Sequence, residues 1–426
     1  MAVNRRNFIR VSIGSAASAA LVAGMTSCEK KSGASSGSPV DALQSMTQDI
    51  VPISVKERES RVEKAQRLMA ENKIEALVID AGTTLTYFTG VQWWPSERTM
   101  VAIIPAKGDV KYVCPAFEEE RLRQLITLGK EVRVWQEHES PYAEIAKGFK
   151  DWGIRSGSIG MEERLRFFIF DGVRKEASHL NYVSGDPVSV PCRLIKSPAE
   201  LALMQRANDI TIEAHRFVTS QLHEGMTPHE FSDLAQKAHA QLGASGGTMV
   251  NFGEDSAYPH GSIKPQVLKK GDIVLMDGGG SVGGYASDIS RTVVFGAEPT
   301  LRQREIWDLE KKAQAAGFKA AKIGAPCENV DTAARKTLVD AGFGPGYKVP
   351  GLPHRTGHGI GMDVHEWGNM VLGNKLPLQA GMCFSIEPNI SIYGEFGVRL
   401  EDCVYMTEEG PKWFSNPSLS IDQPFG

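Results

Sequence analysis

The chain has 426 residues, 42% hydrophobic and 23% charged, which is too apolar for a disordered protein and long enough for two or three domains. Lysine and arginine (47) nearly balance aspartate and glutamate (51), so no basic field marks a nucleic-acid partner. Beyond the N-terminus no eighteen-residue apolar run occurs, which excludes a polytopic membrane protein. Six cysteines without a C-x-x-C pair form neither a disulfide scaffold nor a zinc knuckle and are expected as buried thiols.

Residues 1–28 read as an address. Arg5-Arg6-Asn7-Phe8-Ile9 precedes a short, weakly apolar run and then Met25-Thr26-Ser27-Cys28, the pattern of a twin-arginine signal ending in a lipoprotein box. Export to the periplasm or cell envelope follows as an expectation, with a lipid anchor at Cys28 as the only link to a membrane. The stretch 29–57, which opens Ser/Gly-rich, is expected to be a flexible linker.

Residues 58–192 carry mixed signals that predict an α/β domain. Val62, Ala65 and Leu68-Met69 recur at helical spacing within 61–72, and Glu75–Ile79 is a buried strand run. Further strands are expected over 100–104, 110–114 and 132–135, with helices around 117–127 and 141–151. Trp93 and Trp94 are read as core.

A second domain is expected over 193–426. Ser197-Pro198-Ala199-Glu200 opens a helix with a capping box and proline in its first turn, and Thr227-Pro228-His229-Glu230 opens another. A hairpin over 272–295 follows. The order then repeats at an offset of about 105 residues, with helices over 301–322 and 330–340 and a hairpin over 381–406. Two copies of helix, helix, hairpin predict an internal duplication.

Each hairpin carries two acids. Centring the first turn on its glycines sets Asp277 opposite Asp288, and centring the second on Gly394 sets Glu387 opposite Glu401. Residues directly opposed on a sheet have Cβ atoms ~4.5–5.5 Å apart, so four carboxylates between apolar strands demand compensating cations. Two divalent ions supply that charge. Between the hairpins, His354, His358 and His365 fall within twelve residues of a glycine-rich segment, as ligands or acid–base groups would. Gly278-x-Gly280-x-x-Gly283 spells a dinucleotide fingerprint and Gly279-x-Ser281-x-Gly283 a nucleophile elbow. Both motifs require a following helix, whereas a β-branched strand follows here.

With those residues in their contexts (Met-Asp-Gly-Gly, Ser-Asp-Ile-Ser-Arg-Thr, Gly-His-Gly-Ile-Gly, Ile-Glu-Pro, Val-Arg-Leu-Glu-Asp), the chain resembles the "pita-bread" metallopeptidases, family M24. Leu85–Gly90 and Arg193-Leu-Ile-Lys-Ser-Pro-x-Glu200 resemble its aminopeptidase P/prolidase branch. The resemblance implies an α/β (α+β) fold with a creatinase/prolidase-like domain ahead of a duplicated catalytic domain. It implies Asp277, Asp288, His358, Glu387 and Glu401 as ligands of two metal ions, with Asp288 and Glu401 bridging. It also implies Glu387, His260 and His365 as catalytic groups, His354 and Arg399 as substrate-binding groups, proline-containing peptides as substrates, and a dimer. Glu387 would take the proton of the attacking water, and His260 or His365 would stabilise the oxyanion or protonate the leaving nitrogen. Four carboxylates and one imidazole favour Mn²⁺, with Zn²⁺, Co²⁺ and Fe²⁺ as alternatives.

Between the two activities of the branch, the expectation leans to an exported Xaa-Pro aminopeptidase. A prolidase needs the dipeptide's carboxylate held, a task Arg399 could serve. Creatinase-type enzymes lack the full ligand set, and a non-catalytic lipid-anchored binding protein would not need it.

Overall fold

The computed structural model describes residues 38–426, so the export signal and lipid-anchor site expected within 1–28 lie outside the described residues. Helix α1 (Val55–Asn72) starts where the Ser54 hydroxyl accepts the Glu57 amide, and ends on Lys73 in the left-handed region. Its buried stripe of Val62, Ala65 and Met69 faces the first sheet. The chain continues through β1 (Ile74–Asp80), α2 (Thr83–Thr89), β2 (Val101–Pro105), β3 (Lys111–Pro115), α3 (Glu119–Leu125), β4 (Glu131–Trp135) and α4 (Pro141–Asp151). Then come β5 (Ser158–Met161), α5 (Phe167–Glu176), β6 (Asn181–Ser184) and α6 (Asp186–Leu194).

These strands form one mixed sheet in the order β4-β3-β2-β1-β5-β6, with β1 parallel to β5 and antiparallel to β2. Strand β1 is covered on both faces. Leu77 and Ile79 join the core containing Leu85 and Phe88, while Ala76 and Val78 join the core containing Ile145 and Phe149. That double burial is why the strand reads as a continuous apolar run. Of the paired tryptophans, Trp93 packs on the core beneath Arg121, but Trp94 is 86% exposed. Neighbours in an extended segment point to opposite sides, so one core position excludes the other.

Two expectations about segment limits change. Helix α6 runs through the expected boundary at 192/193 with Pro191 inside it; Val188 and Cys192 enter the first domain's core and Leu194 the second's. Residues 40–53, read as part of a flexible linker, lie along the second domain as a strap. The Met46 amide donates to the Leu242 carbonyl (2.9 Å), Arg206 pairs with Asp49 (2.8 Å), and Leu43, Met46, Ile50 and Ile53 pack on its core. Those four apolar side chains recur every three or four residues, and covering them offsets the cost of ordering the chain.

The second domain opens with α7 (Pro198–Ser220) and α8 (Pro228–Leu242), both started by the expected capping boxes. Strands β7 (Ser245–Phe252), β8 (Ile273–Val282), β9 (Tyr285–Ala286) and β10 (Ile289–Val294) follow, in a sheet ordered β10-β8-β7 with β9 on β8. The second half repeats the scheme with α9 (Leu301–Ala320), α10 (Glu328–Asp340), β11 (Gly357–Gly359), β12 (Glu366–Met370) and β13 (Cys383–Ile386). It closes with β14 (Asn389–Ile392), β15 (Phe396–Arg399), β16 (Asp402–Thr407) and β17 (Gly410–Trp413). The five cysteines among the described residues are buried and unpaired, as expected.

Candidate metal centre

The first pair of acids stands on the β8–β10 hairpin. Its tight turn is Gly283-Gly284, both at positive φ (58° and 86°), the geometry of a two-residue hairpin turn. That centre puts Asp277 opposite Ser290, two residues from the expected Asp288, which lies just before β10. The expected cross-strand acid pair is therefore wrong in register. Asp288 nevertheless enters the same cluster, because its carboxyl group lies within 4.8 Å of those of Asp277 and Glu401.

The second hairpin keeps the expected register. Ile386 pairs with Asp402 and Asn389 with Arg399, so Glu387 and Glu401 face each other at the junction of two short sheets. Glu401 also bridges to Ser290, which joins the two halves of the duplicated domain at the cluster.

His358 is the middle residue of β11, squeezed between β12 and β13. A Cβ at Gly357 would come within 2.0 Å of the Ser385 carbonyl, and one at Gly359 within 1.8 Å of the Trp367 carbonyl. Glycine on both sides is thus a packing requirement. His358 Nδ1 lies 3.1 Å from the Gly359 carbonyl, an acceptor, so Nδ1 carries the proton. The lone pair on Nε2 then faces Glu387 (3.3 Å), Asp288 (3.7 Å) and Glu401 (4.0 Å).

Lone pairs and carboxylates gathered this way repel unless a cation lies among them. Burial and mutual repulsion hold Asp288 and Glu401 well above the ordinary carboxylate range and push Glu387 up to about 7, while burial presses His358 down to about 3. Oε1 of Glu401 is buried without a hydrogen-bond partner. Two overlapping groups, Asp277/Asp288/Glu401 and His358/Glu387/Glu401, each have ligand atoms within 4.8 Å of one another. The donor set fits divalent metal ions, and Glu401 belongs to both groups.

The remaining expected residues surround this cluster. The His365 ring lies edge-on to His358 at 4.1 Å between centroids, with a ligand atom within 4.8 Å of those of Asp288 and His358. His260 is exposed, on the segment after Pro259, and is near enough to lower the pKa of both His354 and His365. His354 donates from Nδ1 to the Arg355 carbonyl (2.7 Å), which leaves Nε2 as a buried acceptor without a partner.

Arg399 is buried beside the cluster. It donates from Nε to Ser290 (2.9 Å) and from Nη1 to the Pro259 carbonyl (3.4 Å), and its Nη2 pairs with Asp277 (2.5 Å). Sequence reasoning missed Arg355. This half-buried arginine bonds Asn369 (2.8 Å), and its charge lowers the pKa of Glu387, His358 and His365. Its position between His354 and His358 was the signal available.

Residues 202–408 match metallopeptidase family M24, and residues 61–195 match the creatinase/prolidase N-terminal domain. An Xaa-Pro dipeptidase of Lactobacillus delbrueckii subsp. lactis is 32% identical over 377 residues, spanning 84% of this chain and 98% of that protein. Among solved structures, a dipeptidase from Mycobacterium ulcerans superposes with a TM-score of 0.78 at 30% identity, covering 86% of this chain and 97% of the other. A prolidase from Thermococcus sibiricus superposes with a TM-score of 0.77 at 29% identity, covering 84% and 97%.

Proposed function

Because the chain belongs to metallopeptidase family M24 and is a metallo-exopeptidase, we propose that it is an Xaa-Pro dipeptidase that splits dipeptides ending in proline. The observation that carries this reading is the near end-to-end match to an Xaa-Pro dipeptidase. It favours the dipeptidase over the aminopeptidase expected from the sequence. Arg355 supports it as well, since a dipeptide's free carboxylate needs a cation near the cluster and the charge of Arg355 reaches Glu387, His358 and His365.

In this reading Asp277, Asp288, His358, Glu387 and Glu401 would hold two divalent ions, whose chemistry would be to polarise the scissile carbonyl and acidify water. Glu387 accepts the proton of the attacking water and is steadied by the Ser385 hydroxyl at 3.3 Å. His365, exposed beside His358, faces the developing oxyanion, and His260, exposed after Pro259, helps protonate the proline nitrogen. The free Nε2 of His354 accepts a hydrogen bond from the substrate. Four carboxylates to one imidazole support Mn²⁺ as the working metal.

The reading is tested by comparing hydrolysis of Xaa-Pro with that of Xaa-Pro-Yaa-Zaa in the presence of Mn²⁺. Cleavage of the dipeptide alone is expected. Preferential cleavage of the longer peptide would restore the aminopeptidase, and cleavage of neither would remove both. Arg5-Arg6 and Met25–Cys28 support an exported enzyme of the cell envelope. Arg5→Lys with Arg6→Lys is expected to hold a full-length precursor in the cytoplasm, whereas unchanged fractionation would remove that address.

A further inference from the structure

The loop that carries His365 is held by the first domain. Residues 361–365 have no regular secondary structure, and Glu366 begins β12. Within the loop, Glu366 Oε1 accepts the Met362 and Asp363 amides (2.9 and 3.2 Å), so one carboxylate folds the turn on itself. That carboxylate is gripped from outside by Arg193 (2.5 Å) in the last turn of α6 and by Lys196 (2.9 Å). Burial raises its pKa, but the two cations outweigh burial and hold it at about 2.

Asp363 is gripped in turn. It takes Arg193 (2.5 Å), Arg164 (2.7 Å) and the Thr83 hydroxyl (2.7 Å). Arg164 also donates to the backbone carbonyl of His365 itself (3.2 Å). Thr83 follows β1 and Arg164 follows β5, two parallel neighbours in the first sheet. Open α/β sheets bind ligands beyond the carboxyl ends of such strands. Here the second domain's own loop occupies that place.

We propose that Arg164 is a positioning residue, which by clamping Asp363 and the His365 carbonyl holds the His365 imidazole at the metal cluster. The first domain is thereby part of the active site, and ordering of the His365 loop depends on contact between the domains. The part of this proposal that concerns rate rests on the dipeptidase reading above. The clamp itself does not. A ring displaced by about 1 Å can cost 10²-fold in rate, so a bond to the carbonyl of the residue bearing that ring is well placed to matter.

The test uses the full chain loaded with Mn²⁺. The Arg164 side chain is 48% exposed, so Arg164→Ala leaves the core intact. Amide hydrogen exchange of residues 362–366 is expected to speed up by roughly tenfold in Arg164→Ala, while exchange in β8 and bound metal stay as in the wild type. Arg164→Lys is expected to fall between. Unchanged protection of 362–366, or loss of metal in Arg164→Ala, would overturn the clamp. On Xaa-Pro, kcat is expected to drop roughly 10- to 100-fold with little change in KM. Adding Arg164→Ala to His365→Ala should cost nothing more, because both act through one imidazole. Multiplying losses would show that Arg164 acts elsewhere. If the wild type cleaves no Xaa-Pro dipeptide, the substrate reading fails and the exchange result still decides the clamp.

Discussion

Ser290 is where the two carboxylate hairpins are tied together. Its hydroxyl lies 2.7 Å from Asp277 and 2.8 Å from Glu401 while accepting Arg399 Nε at 2.9 Å. A hydroxyl has one proton, so it donates to one acid, and the second contact needs a proton from the other side. Burial and the neighbouring acids raise the Glu401 pKa, which favours a proton on that side in the absence of ions. With ions present that proton leaves, and Ser290 orients whichever carboxylate it serves. Ser290→Ala should therefore weaken metal binding by roughly 10- to 100-fold, the usual cost of losing a partner that orients a ligand, with calorimetric titration of Mn²⁺ as the check. At the same scale, Arg355→Ala should raise KM for Xaa-Pro by about tenfold, the worth of one hydrogen bond to a charged group, and affect Xaa-Pro-Yaa-Zaa less. Equal effects on both peptides would remove Arg355 from the carboxylate's vicinity.

Among the elements, what the sequence disclosed depended on how sharply local chemistry marked each one. Capping boxes at Ser197 and Thr227 placed α7 and α8 to the residue, because a cap is a local hydrogen bond. The register of the second hairpin was legible because Gly394 is the lone glycine at its tip. The first hairpin offered five glycines within 278–284, and only the demand for two successive positive φ values selects Gly283-Gly284. A shift of two residues conserves which face a side chain occupies, so Asp277 and Asp288 still met although they do not pair. The strap at 40–53 and the clamp on the His365 loop were not legible, since both depend on partners more than a hundred residues away. Strand β11 carries its own test. Gly359→Ala forces a methyl against the Trp367 carbonyl and should cost about 1–3 kcal/mol of stability, measured by urea unfolding, while weakening metal binding through His358.

For the whole molecule, metal binding and folding are one equilibrium, because the buried acids lie where the two halves of the catalytic domain meet. The sign of the pH dependence follows from the direction of each shift. Burial raises Asp288, Glu401 and Glu387 (the last to about 7), so the metal-free fold binds more protons than the unfolded chain, and its stability falls as pH rises. The buried histidines act in the opposite sense. His358 and His354, lowered to about 3 and about 4, make stability rise with pH up to the unfolded histidine pKa of ~6.5. Below that pH the two sets oppose each other. Above it only the acids remain, and the metal-free protein should lose stability steadily towards pH 8. Divalent ions reverse this, since they bind the ionised carboxylates and bind more tightly as the competing protons leave. The difference in Tm between the Mn²⁺-loaded and chelated protein should therefore widen from pH 6.5 to pH 8, read by calorimetry at fixed metal concentration. A difference that stays flat or narrows over that range would mean that these carboxylates do not hold the ions.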